Sequence, residues 1–203
     1  MKKALFTALL ALLLPVALTA QSGQRVHFGA EWGMSQTLGV YHHFNFLEST
    51  IGYRVDDRGW DYSGSINAYV SGKLSVDLGE RLNLSAIGGY YGVAESRRLI
   101  PLMLQAEWYP RGNENNGLFL FAGGGYVLGK FTNTNHSWAI RPGAGYRIAL
   151  GSSDFLDVVL SLRCMHDKPR VWDRDEHIYV SRHNTLRNNV WYYALSLGVA
   201  LSF

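Results

Sequence analysis

Apolar residues recur at every second position through most of this chain, and that period admits strands and little else. The final stretch shows it most fully. Trp191, Tyr193, Leu195, Leu197, Val199, Leu201 and Phe203 share one face, with smaller residues between them. From Arg25 to Met34, Val26, Phe28, Ala30, Trp32 and Met34 alternate with His27, Gly29, Glu31 and Gly33. Ala68 to Leu78 repeats the pattern, and a tight Gly79-Glu80-Arg81 turn leads into Leu82, Leu84, Ala86, Gly88 and Tyr90. Further strands are expected over Arg98 to Tyr109, Leu118 to Phe131 and Ser137 to Leu150. Another carries Leu156, Val158, Leu160 and Leu162 on one side, with Asp157, Ser161 and Arg163 on the other. Eight strands result.

The connections alternate in length. Gly79–Arg81, 110–117 and Gly151–Ser153 are short or moderate, whereas 35–67 and 166–189 read as long loops. Thr132-Asn133-Thr134-Asn135 is a polar tip between two strands. Short turns at one end and longer loops at the other describe a bacterial outer-membrane barrel.

The character of the two faces places the apolar one outside. It carries essentially no charge, and its aromatics gather towards the strand ends. Tyr90, Tyr126, Trp138, Trp191 and Tyr193 fall near one end, and Phe28, Trp108 and Phe203 near the other. Two aromatic girdles around an aliphatic band suit a lipid interface. A soluble barrel with that face inward would show water a surface poor in Lys and Glu. The polar face is therefore the lumen, with Glu31, Lys73, Glu107, Arg141, Arg147, Asp157 and Arg163 as its expected ion network. Folding about Ser152 sets Arg147 opposite Asp157 and Arg141 opposite Arg163. The two arginines repel unless a carboxylate lies between them, and Glu31 is the candidate. Eight strands leave an interior only wide enough for side chains, so a filled cylinder is expected. Pro142, on the lipid face, predicts a bulge. Phe119 and Phe121 fall on the polar face, so either that strand shifts register or two rings fill the lumen.

Ahead of the barrel, Lys2 and Lys3 precede an apolar run from Ala4 to Leu14, then Pro15 and small residues up to Ala20. That is the pattern of a cleaved export signal, giving 1–20 as signal peptide and 21–203 as barrel. The chain has 19 basic and 16 acidic residues. Removing the two leader lysines leaves 17 against 16, a balance that offers nucleic acid no basic stripe. Cys164 is the only cysteine, so no internal disulfide can form.

With these features the chain resembles the small eight-stranded outer-membrane barrels of the outer-membrane protein A and protein X type. The last strand resembles their C-terminal assembly signal, a terminal Phe203 preceded at alternate positions by Leu201, Val199, Tyr193 and Trp191. The resemblance implies recognition by the barrel-assembly machinery. It also implies insertion in outer-membrane lipid and lipopolysaccharide, with no peptidoglycan-binding domain expected after Phe203.

Chemistry is sparse. His42 and His43 lie in one long loop, and His166, His177 and His183 in or beside the other, without metal-ligand spacing. Asp56, Asp57 and Asp61, and Asp173, Asp175 and Glu176, lack the glycine-bent spacing of a calcium loop. With Lys168, Arg170, Arg174, Arg182 and Arg187 interleaved, they read as solvated mixed-charge loops able to touch lipopolysaccharide phosphates. His136-Ser137 and Ser181-Arg182-His183 are the nearest approach to a catalytic pair, and neither is a His-x-Ser element. Cys164 reads as a small apolar filler. The expectation is an all-β, eight-stranded antiparallel transmembrane up-and-down barrel. It would be non-enzymatic, without cofactor or metal, and structural or adhesive through 35–67 and 166–189, with an unknown extracellular ligand. A lipid A-modifying enzyme and a narrow channel are the alternatives.

Overall fold

A computed structural model describes residues 25–48, 52–94, 97–128, 137–151, 153–173 and 177–203. The expected export signal, the Thr132–Asn135 tip and the acidic pair Asp175 and Glu176 lie outside these residues.

Among the described residues eleven strands form in chain order. They are β1 (Val26–Leu47), β2 (Arg54–Tyr62), β3 (Ile66–Asp77), β4 (Leu82–Val93), β5 (Arg97–Trp108) and β6 (Gly117–Leu128), followed by β7 (Trp138–Ala149), β8 (Phe155–Asp167), β9 (Trp172–Asp173), β10 (Ile178–Tyr179) and β11 (Thr185–Ser202). Eight of them close a barrel in the order β11, β8, β7, β6, β5, β4, β3, β1, with β1 returning to β11. Every pairing is antiparallel. The seam closes at the chain's last residue, because Phe28 and Phe203 exchange both backbone hydrogen bonds, at 3.0 and 2.8 Å. Closure leaves none of these eight strands with a free edge along the barrel, which is how an up-and-down barrel avoids strand-edge association.

Burial follows the period of two, with the apolar rows outside. Leu102 and Leu104, Leu118 and Leu120, and Val158, Leu160 and Leu162 are all exposed, while the residues between them are buried. Phe28, Trp108 and Phe203 are exposed at one end of this band, and Tyr90 and Tyr126 at the other. A strand of about 12 residues spans roughly 40 Å, or about 30 Å along the barrel axis at a tilt near 40°.

The loop expected at 35–67 is mostly strand. β1 runs 22 residues, and its outer half pairs with β11 on one side and β2 on the other. A three-stranded extension therefore rises above the barrel. A bulge at Leu38 separates the two halves of β1, since Thr37 faces Ala194 while Gly39 faces Tyr193. The extra residue inverts the strand's faces. Below it Phe28, Trp32 and Met34 look outward; above it Val40 and Phe44 turn inward onto the core. The described residues of the 166–189 segment also carry secondary structure, with the small β9–β10 hairpin, a 3-10 turn over Arg182–Asn184 and the start of β11.

Pro142 produces no bulge. The β7–β8 pairing skips the rungs beside it but keeps one register, from Ile140 opposite Cys164 to Gly143 opposite Ser161. Its missing donor opens the ladder locally, and the neighbouring rungs hold the alignment. Pro101 does the same between β4 and β5, where Gly88 faces Leu102 and Tyr91 faces Leu99.

Candidate functional site

The lumen holds charge in layers. In the layer nearest the short turns, Arg147 donates from Nε and Nη2 to the two oxygens of Asp157, both at 2.8 Å. Its Nη1 donates to the carbonyl of Asn113 at 2.8 Å, and the guanidinium lies over the rings of Tyr109 and Phe155 at 4.3 and 4.5 Å. Beside it Lys73 pairs with Glu107 at 2.6 Å. Glu107 also accepts from Ser85 Oγ at 3.0 Å, Gln105 Nε2 at 2.9 Å and Tyr109 Oη at 2.7 Å. Both pairs are neutral in sum, and their hydrogen-bonding capacity is nearly filled. Buried ions require that arrangement.

The middle layer brings three walls together. Arg141 makes a bidentate pair with Glu31 and donates from Nε to Ser161 Oγ at 3.2 Å. Tyr69 Oη donates to the same carboxylate at 2.8 Å. Arg163 stands opposite in the register, with Nη2 3.7 Å from Glu31 Oε1. Glu31 thus lies between the two arginines.

Phe119 and Phe121 turn their rings into the lumen without any shift of register. Each faces a glycine across the β6–β7 ladder, Phe119 on Gly145 and Phe121 on Gly143. A Cβ at Gly145 would come within 2.4 Å of Phe119, and one at Gly143 within 2.3 Å of Phe121. The glycines make the room that the rings occupy.

Above these layers lies an apolar plug of Tyr69, Ile87, Tyr91, Val93, Leu99, Met103, Val127, Ala139, Met165, Val190 and Tyr192. At its rim Arg97 donates to Asp167 at 2.8 Å and to Tyr192 Oη at 3.4 Å. Arg97 falls just before the expected strand Arg98–Tyr109 and Asp167 within the expected 166–189 loop, so the expected strands do not pair them. Parity could have found both: Asp167 continues the inward series Asp157, Ser161, Arg163, and Arg97 continues Gln105 and Glu107. His27 and Asp77 form a further contact, at 3.2 Å near the opposite end.

The histidines of the two expected loops occupy separate settings. His42 lies between Asp61 at 3.1 Å and Asp57 at 3.6 Å, and His43 faces Asp56 at 3.0 Å, all on the β1–β2 extension. His166 packs between Trp138 and Trp191, with ring centroids 6.0 and 4.9 Å away, and contacts Asn189 at 3.3 Å. Among the described residues no three His, Cys, Asp or Glu side chains are grouped to hold a metal ion. Trp60 packs at a tilt against Tyr41 and Tyr193, with ring centroids 5.3 Å from each, and extends the upper girdle onto the extension. Cys164 is half-buried opposite Tyr193.

The residues read as an assembly signal lie along β11. Trp191, Tyr193, Val199 and Leu201 are partly exposed on its outer face, and Phe203 is exposed at its end.

No protein-family model matches the chain, and no curated protein sequence does. A solved structure similar in outline is the outer membrane protein OprG from Pseudomonas aeruginosa. It is 9% identical, aligns over 89% of this chain and 97% of its own, and has a TM-score of 0.46. The barrel assignment stands on the strand pairing itself.

Proposed function

We propose that this protein is an integral outer-membrane barrel of a Gram-negative envelope, exported by a cleaved signal and without enzymatic activity. Its role is to anchor a surface extension rather than to conduct or catalyse. The observation carrying this reading is the inverted distribution of polarity. Paired charges and rings fill the inside, while leucines, valines and two aromatic girdles face outward. Water would penalise that exterior, and lipid favours it.

The contact surfaces are the β1–β2 extension and the 166–189 segment, which place Trp60, Tyr62, Trp172 and Tyr179 in the open. Lipid, lipopolysaccharide and an extracellular ligand are the partners at this end. The assembly machinery is the partner for β11.

The test is fractionation followed by functional comparison. The protein should stay in urea-washed outer membranes and migrate faster on gels unheated than heated. Recovery in the soluble fraction would overturn the membrane reading. Planar bilayers should show no steady large openings, and lipid A acylation should match that of cells lacking the gene. A change in acylation would make the protein an enzyme.

A further inference from the structure

We propose that the lumen holds one bound monovalent anion of halide size, seated against Arg163 between the Arg141–Glu31 pair and the apolar plug. The middle layer contains two guanidiniums, Arg141 and Arg163, and a single carboxylate, Glu31. Glu31 spends its oxygens on both Nη donors of Arg141 and on Tyr69. Arg163 is left with a 3.7 Å ion-pair contact, beyond hydrogen-bond length. It is 2% exposed, and its Nε, Nη1 and Nη2 all lack a hydrogen-bond partner among the described residues. The other two lumen pairs, Lys73 with Glu107 and Arg147 with Asp157, are balanced one to one. One positive charge is therefore in excess in the middle layer.

Arginine cannot relieve this by losing its proton. The rings of Tyr69 and Tyr91, with centroids 3.8 and 4.2 Å from its Cζ, cover the guanidinium's face but offer its N–H edge no acceptor. Tyr91 Oη and, across the ladder from Glu31, Ser71 Oγ are buried without hydrogen-bond partners among the described residues, and each hydroxyl carries a proton it can donate to an anion. Water could take up the hydrogen bonds but not the charge, and an uncompensated buried cation is the costlier of the two. A small anion answers both demands. The surplus of one sets its valence, and the tyrosine rings 3.8 and 4.2 Å from Cζ favour a compact ion over a large one.

The mature chain folded from urea into detergent micelles tests this at fixed ionic strength in sodium chloride, bromide or gluconate. We expect a thermal midpoint about 5 °C higher in chloride or bromide than in gluconate, as ligand linkage requires. Arg163→Met should remove the difference between salts. Equal midpoints in the three salts, or an undiminished difference in Arg163→Met, would overturn the proposal. Should that variant fail to fold, the unmodified protein still decides. Folded in bromide and gel-filtered into gluconate, it should retain about one bromide per chain by X-ray fluorescence. No retained bromide would show that water alone fills the site.

Discussion

Glu31 is the residue on which most of the middle layer depends. Converting it to Gln leaves Arg141 and Arg163 facing each other without a carboxylate, so Glu31→Gln should lower stability by about 3–5 kcal/mol, read from urea unfolding in micelles. Asp157→Asn should cost less. Arg147 would keep the Asn113 carbonyl and its two aromatic faces, and no second arginine opposes it. Equal losses in the two variants would contradict this ranking. The glycines under the rings give a second contrast. Gly145→Ala sets a methyl against Phe119 and against the Val158 carbonyl, with an expected loss of about 1–3 kcal/mol. Gly72→Ala, where a Cβ meets nothing closer than 3.9 Å, should be nearly neutral. At this scale the sequence is legible where a tight turn fixes the register. Residues 147 and 157, or 141 and 163, face each other once the chain folds about position 152. What bonds Glu31 across the lumen is not readable in that way, since it depends on how far three walls approach. The same holds for Phe119 and Phe121, where the alternation alone allowed a shifted strand as readily as rings filling the interior.

Among the elements, β1 departs furthest from its sequence expectation, and the cause is one residue. Beyond Met34 most even positions stay apolar, at Leu38, Val40, Phe44 and Phe46, with Gln36 and His42 between them. The bulge at Leu38 turns the later ones inward, and polar residues such as His42 and His43 then break the apparent face. The sequence pattern alone therefore ends the strand near Met34 and leaves 35–67 as a loop. Deleting Leu38 removes only the extra residue, so Gly39 should stay opposite Tyr193 while Val40 and Phe44 keep facing the plug. The near-ultraviolet signal of Tyr91 and Tyr192 should then persist with little change in thermal midpoint, and loss of that signal would contradict this register. The tip of the same hairpin bears on the barrel far less. Replacing residues 45–56 by Asn-Gly keeps His43 opposite Arg58 and supplies a two-residue turn suited to the strands' twist. That variant should still give a heat-modifiable barrel of unchanged yield. Poor folding would mean the extension takes part in forming the barrel and is more than a surface appendage.

At the scale of the whole molecule, closure is the pairing that waits for the others. β1 and β11 are the first and last strands, so their ladder joins residues farthest apart in sequence, and contacts of that kind form slowly. Phe203 ends this ladder. It contributes two backbone hydrogen bonds with Phe28 and an exposed ring in the lower girdle beside that of Phe28. Two hydrogen bonds at an open strand end are worth only about 1–2 kcal/mol in sum. Deleting Phe203 should therefore change urea stability of the protein refolded in micelles by no more than that amount. Its effect in cells should be far larger if the terminal residue is what the assembly machinery reads, with folded outer-membrane protein reduced several-fold and unfolded chain accumulating in the periplasm. The two measurements separate the roles. A matching small loss in both settings would make Phe203 an ordinary seam residue. A large loss in micelles would place the weak point of the barrel at its closure, with no need for a recognition step.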